Sequence, residues 1–325
     1  MIHLLLVTGA VATVLAAVVL PLNLAAIPRL SRTASGLSPG RFPRVSVVIP
    51  ARDEEGEIER AVRSHLAQDY PDLQVIVVDD RSTDRTPQVL ASLARETPRL
   101  TVITGREPPE GWLGKPHALW QGAQVVDGEI LLFADADVRY DPRALREAVA
   151  LFEERRFDLL AFLPKFEMRG FWENVLIPYL AVGVFLGFGF VAAHRRVRGL
   201  ALGAGVGNLV RRKAYDAVGG HRALRDSVVD DVRLAIEVKR AGFSVVAVRA
   251  VDRVAVRIYR GFRGVWNGFT KNVAWAFPGV GGAVLFVLTL ALFAASIAPA
   301  ATLVAAAFGA PVPPVDVRLA AAVFA

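Results

Sequence analysis

Short apolar runs that each stop at a pair of carboxylates constrain this chain most. Residues 75–78 run into Asp79-Asp80, and residues 130–133 run into Asp135-Ala136-Asp137. Carboxylates at the ends of buried strands are costly unless a cation or a polar ligand compensates them. Strand ends are also where open α/β sheets bind ligands, and a divalent metal carrying a nucleotide diphosphate would compensate the middle pair. A third pair, Asp230-Asp231, heads a later helical pattern.

Around these clusters the chain alternates between strand and helix signals. Residues 45–49 form a strand leading to Pro50, and Asp53 is placed to cap a helix carrying Ile58, Ala61, Val62 and Leu66. After the strand 75–78, Thr86 is placed as a cap and Pro87 as a first-turn residue. A strand at 100–103, a helix at 118–126 and the strand 130–133 follow, and Asp141-Pro142 opens another helix. The alternation predicts an α/β fold with a largely parallel, doubly wound sheet.

The chain as a whole is richer in apolar residues than a soluble domain needs, with 54% hydrophobic residues and a mean hydropathy of +0.41. Residues 4–26 are apolar apart from Thr8, Thr13 and Asn23, long enough for a helix to cross a bilayer of roughly 30 Å. An anchor fits better than a cleaved signal peptide, since no basic residue precedes the run. Arg29, Arg32, Arg41 and Arg44 follow at once, which by the positive-inside rule places the central domain in the cytoplasm of a multi-pass inner-membrane protein. The expected plan is an anchor over 1–28, a linker over 29–44, a catalytic domain over 45–278 and a C-terminal transmembrane region over 279–325. Residues 175–193 are long enough to span, but a crossing there would separate Asp137 from Asp231. Interfacial helices around 171–193 and 257–278 are expected instead. The net charge of +7 comes without basic runs interleaved with stacking aromatics, so it points to anionic membrane headgroups and not to nucleic acid.

Five segments in order carry a family resemblance: VSVVIPARDEEGEIERAVRSHLAQDYP, VIVVDDRSTDRT, GWLGKPHALWQGA, ILLFADADVRYDP and VVDDVRLAIEVKRAGFSV. Together they resemble family 2 glycosyltransferases of the GT-A fold. The GKPHAL segment, FWENVLIPYL and RIYRGFRGVWNGFTKN look more narrowly like membrane-bound members associated with hopanoid or carotenoid glycosylation.

The resemblance implies that Pro50, Ala51, Arg52, Asp53, Glu54 and Asp80 meet the nucleotide of a nucleoside diphosphate sugar donor, UDP-linked by expectation. It makes Asp137 a direct ligand of Mg²⁺ or Mn²⁺, and Asp135 a ligand of the metal or of the ribose. Asp231 becomes the general base that takes a proton from the acceptor hydroxyl, giving an inverting transfer to a lipid or lipid-like acceptor at the membrane surface. Lys115, between Gly114 and Pro116, can present an ammonium to nucleotide or phosphate, though a solvated loop lysine would look the same. Asp53 serves equally as a cap, and Asp230-Asp231 equally as helix-starting acids. Asp79 is read as bracing its loop and His117 as structural.

Processive polysaccharide synthases of the family carry Q-x-x-R-W where this chain has RIYRGFRGVWNGFTKN. No glutamine is present there, and Arg263 and Trp266 are spread apart, which argues against polymer synthesis. Arg260 and Arg263 can still meet diphosphate or headgroups. A polyprenyl-phosphate sugar synthase, a nucleotidyl transferase and a non-catalytic membrane scaffold are the rival readings. Gly203-Ala204-Gly205-Val206-Gly207 lacks the G-x-G-x-x-G spacing of a dinucleotide site and is read as a wall of the acceptor pocket.

Overall fold

The computed structural model describes residues 2–34, 41–187, 201–276 and 297–322. The chain forms two compact units. The larger, Ile27–Glu173 with Val191–Gly261, carries all but one of the expected site residues.

Its strands in chain order are β1 (Val45–Ala51), β2 (Leu73–Asp79), β3 (Leu100–Thr104), β4 (Ile130–Phe133), β5 (Val138–Tyr140), β6 (Leu159–Leu163), β7 (Lys165–Phe166), β8 (Asn208–Arg211), β9 (Val245–Arg249) and β10 (Val254–Val256). Seven of them make one sheet in the order β3-β2-β1-β4-β8-β6-β9. Pairing is parallel except that β8 runs antiparallel between β4 and β6. A small second sheet has the order β5-β10-β7. The parallel strands are buried on both faces, Val47, Val75 and Leu132 packing with one core layer and Val48, Ile76 and Leu131 with the other. Continuous apolar runs are what a sheet covered by helices requires.

The covering helices of this unit are α2 (Ile58–Leu66), α3 (Thr86–Glu96), α4 (Gly114–Gln124), α5 (Ala144–Glu154) and α7 (Asp230–Arg240), where α1 (Ile2–Ala26) and α6 (Phe171–Gly187) take the intervening numbers. On α2 the buried residues Ile58, Ala61, Val62 and His65 recur at helical spacing and form its inward stripe. Each fully buried aliphatic side chain contributes about 1.5–3 kcal/mol.

Three expected caps are corrected. The residue before α2 is Glu57, with no side-chain cap, and Asp53 instead adopts φ 54° and binds the neighbouring loop. Thr86 is the first residue of α3, and its hydroxyl accepts from the Glu54 amide at 2.8 Å. Asp141 lies two residues before Arg143, the residue preceding α5, and accepts its amide. In each case a contact outside the helix captures the oxygen. Helix α4 begins at Gly114, four residues earlier than the apolar pattern indicates, because Gly114 and Lys115 add no apolar signal.

The second unit comprises Met1–Ala26, Asn174–Phe190 and Phe262–Ala325. It contains α1, most of α6, most of α8 (Gly261–Ala276) and a helix at Pro314–Ala322 that packs on α1. Helix α1 has 25 residues and no charged side chain, but several of its side chains lie outside the described set. Among the described residues no helix is long and apolar enough to cross a membrane. Parts of the segments expected to meet the membrane, 188–193 and 277–296, fall outside the described residues.

Candidate active site

The loops after β1 and β2 are stitched into one surface. The Asp80 amide donates to the Ala51 carbonyl at 2.7 Å. Asp53 Oδ1 accepts from the Thr83 amide at 2.7 Å and hydroxyl at 3.1 Å, while the Asp53 amide donates to Ser82 Oγ. Those hydrogen bonds, the Thr83 amide foremost, hold the Asp53 carboxyl below the usual carboxylate range. Asp53 and Arg81 both have positive φ, a conformation that such cross-ties can sustain. Asp79 Oδ1 accepts the Ser82 amide, so Asp79 braces its loop as expected.

Asp80 is almost fully buried beneath two cations, Arg52 at 3.8 Å and Arg81 Nε at 3.1 Å. Helix α4 begins against it, and a Cβ placed on Gly114 would lie 2.5 Å from Asp80 Oδ2. A glycine is needed there for the close approach. His117 is packed against Trp112 and Trp120 and bonded to Gln121, the structural role expected of it.

A second cluster gathers Lys115, Asp135, Asp230 and Asp231 around one small cavity. Lys115 Nζ lies 2.6 Å from Asp135 and 3.8 Å from Asp230. Burial works against the ammonium, but Asp135, Asp230 and Asp231 outweigh it and hold Lys115 charged. Lys115 is therefore a partly exposed bridging cation on α4 and not a loop residue. Asp230, despite burial, is held low by Lys115 and His221. Its neighbour Asp231 is pushed up to about 6 by burial and by the Asp230 charge. One of two adjacent carboxyls is kept ionised and the other brought toward neutrality, the separation that base catalysis near pH 7 uses.

Sequence reasoning missed the support behind these acids. Buried His221 lies with Nε2 3.6 Å from Asp230, and its Nδ1 is 3.0 Å from the Tyr215 hydroxyl. A Cβ on Gly203 would fall 1.9 Å from the Asp231 carbonyl, and one on Gly205 would fall 2.4 Å from Asp135 Oδ2. Asn208 Nδ2 donates to the Asp231 carbonyl at 3.0 Å. The glycine-rich turn thus backs the acidic cluster, and its only sequence signal is three glycines at alternate positions.

Asp137 lines a different cavity. Burial and then Asp135 push its carboxyl up to about 6. Burial, Asp137 and Asp135 push the half-buried Glu54 up to about 7. Asp135 has Lys115 beside it, whereas the raised carboxyls of Glu54 and Asp137 are crowded by other acids; a divalent cation would relieve that crowding, so Asp137 with Asp135 fits one. Among the described residues no three acidic or histidine side chains are arranged to enclose a metal by themselves. A magnesium-like ion bound through one or two carboxylates, with substrate oxygens completing its shell, has no need of a third. Arg263 belongs to the other unit.

A family model described as "Glycosyl transferase family 2" matches residues 46–219. A β-monoglucosyldiacylglycerol synthase from Nostoc is 29% identical over 60% of this chain and 41% of that protein. A 4,4'-diaponeurosporenoate glycosyltransferase from Staphylococcus haemolyticus is 25% identical over 71% of this chain and 61% of that protein. The chain therefore spans between four and about six tenths of these relatives' length. Among solved structures, the mannosyltransferase PcManGT from Pyrobaculum calidifontis, in complex with GDP-Man and Mn²⁺, superposes with a TM-score of 0.61 at 20% identity. It covers 99% of this chain and 91% of its own. That likeness establishes the GT-A-like α/β fold with its mainly parallel central sheet.

Proposed function

The chain belongs to glycosyl transferase family 2, and from that premise we propose that it transfers a sugar from a nucleoside diphosphate donor to a hydroxyl of a lipid-like acceptor, with inversion. The observation that carries this reading is the meeting of Lys115, Asp135, Asp230 and Asp231 at one cavity. Asp80, beneath Arg52 and Arg81, offers an acceptor for base or ribose donors. Asp231 takes the acceptor's proton while the hydroxyl oxygen forms its bond to the anomeric carbon and the bond to the diphosphate oxygen breaks. One base suffices, and direct attack opposite the leaving group inverts the centre.

A divalent ion held by Asp137 and Asp135 would, when bound, offset charge on the departing diphosphate. Lys115 keeps Asp135 oriented and adds positive charge on the same side. The apolar molecules in the two relatives' names, a glucosylated diacylglycerol and diaponeurosporenoate, support an apolar acceptor here. Apolar α1, with arginines at 29 and 32 just beyond it, supports attachment to the cytoplasmic face of a membrane.

The test is a screen of UDP- and GDP-sugars with the full chain and Mn²⁺, reading released nucleoside diphosphate with and without membrane lipid extract. Release that needs the extract and stops in excess chelator is expected. Release of pyrophosphate, or none with any donor, would contradict the reading.

A further inference from the structure

On the Asp137 side of the acidic element lies a cavity of about 350 Å³ whose arginines the transfer chemistry above does not use. Five arginines line it against three carboxylates. Arg60 comes from α2, Arg139 from β5, Arg169 from the segment after β7, and Arg257 and Arg260 from the segment after β10. The acids Glu57, Glu167 and Asp137 complete the lining.

The carboxylates aim the arginines without saturating them. Arg260 bonds Glu57 at 2.7 Å, while Arg60 lies 3.7 Å from the same carboxylate. Glu167 is shared between Arg139 and, at 3.7 Å, Arg169. Outside the lining, buried Glu173 accepts from Arg257 at 3.0 Å and from the amides of Arg169 and Gly261. A guanidinium carries five N–H donors, and a single carboxylate uses at most two well. Unused donors converging from four segments form a seat for a planar or tetrahedral oxyanion.

The loop residues assigned to the nucleotide, namely Pro50, Ala51, Arg52, Asp53, Glu54 and Asp80, contribute nothing to this lining, and neither does Lys115. A dication at Asp137 would already offset the donor diphosphate, which leaves the arginine excess for a second anion. The substrate left to supply that anion is the lipid-like acceptor of the proposed transfer.

We propose that this arginine cavity binds the anionic head, phosphate or carboxylate, of an acidic lipid acceptor. The inference rests on the lipid-acceptor reading above.

The probes are dioleoyl-phosphatidate and dioleoylglycerol, which share tails and differ in the phosphate, presented to the full chain in neutral detergent micelles. Binding is followed by tryptophan fluorescence, and UDP or GDP binding with Mn²⁺ is measured in parallel. A preference for phosphatidate of about tenfold or more is expected, on the scale of a charge-assisted bidentate contact. Arg139→Gln with Arg169→Gln should abolish the preference, Arg139→Lys with Arg169→Lys should restore part of it, and neither should change nucleotide binding. The exposed Arg60→Gln, which gives up one surface hydrogen bond to the Gly56 carbonyl, should reduce the preference on its own. No preference in the wild type, or a preference surviving all three variants, overturns the proposal. So does an equal loss of nucleotide affinity, which would assign the cavity to the donor. Absence of nucleotide binding in the wild type would instead count against the transferase reading, whatever the lipids do.

Discussion

At the scale of single residues, the account rests on two adjacent carboxyls held in different states. Asp231 must be ionised to accept a proton, and its carboxyl is pushed up to about 6. Transfer is therefore expected to be low below pH 6, to rise through about 6 and to level off above it. A rate profile against pH at saturating donor reads this directly, and a profile flat from pH 5 to 8 would contradict it. Asp80 offers a steric test. Gly114→Ala would push a methyl group to 2.5 Å from the Asp80 carboxylate, so the loop must shift. Nucleoside diphosphate affinity is expected to fall by about tenfold, from a lost or misplaced hydrogen bond, which titration calorimetry would measure. The acids themselves were legible in the sequence, because each follows an apolar run or opens a helix. What supports them was not, since His221, Tyr215 and Asn208 reach Asp230 and Asp231 only through tertiary contacts.

At the scale of elements, parallel strands were legible and the antiparallel insertion was not. Runs such as 45–49 and 130–133 announce burial on both faces, whereas β8 is four residues long and begins with a buried asparagine. Its place between β4 and β6 is set by pairing partners far away in sequence. The three displaced caps have one cause. Asp53, Thr86 and Asp141 each sit where a cap belongs, but contacts from neighbouring loops or amides claimed their oxygens. Helix α2 carries its own prediction through His65, fully buried against Tyr140 with no hydrogen-bond partner on either ring nitrogen. Burial lowers its pKa from 6.5 to about 3. The unfolded chain then binds a proton that the folded one refuses, so this part of the stability is complete above about pH 6.5 and is lost as pH falls toward 3. Replacing it, as His65→Leu, should flatten the fall in melting temperature between pH 7.5 and 5. Equal falls in both proteins would show that His65 titrates normally.

At the scale of the molecule, the larger unit supplies the fold and every member of the acidic cluster, and the smaller one gathers the apolar helices. Family membership was legible from five ordered segments, because a strand-end loop that must approach a nucleotide tolerates few residue types. The proposed acceptor was less so, since a lipid tail asks only for apolar surface and leaves no motif. The unabsorbed arginines show this limit well: they lie scattered from 60 to 260 in sequence and meet only in the fold. The central claim, that Asp231 is the base of a sugar transfer, is tested most directly by transfer of radiolabelled sugar to lipid extract, comparing wild type with Asp231→Asn. The account predicts a loss of about 10²–10⁴-fold, the usual worth of a general base, with nucleoside diphosphate binding unchanged. Full transfer by the Asp231→Asn protein would contradict it.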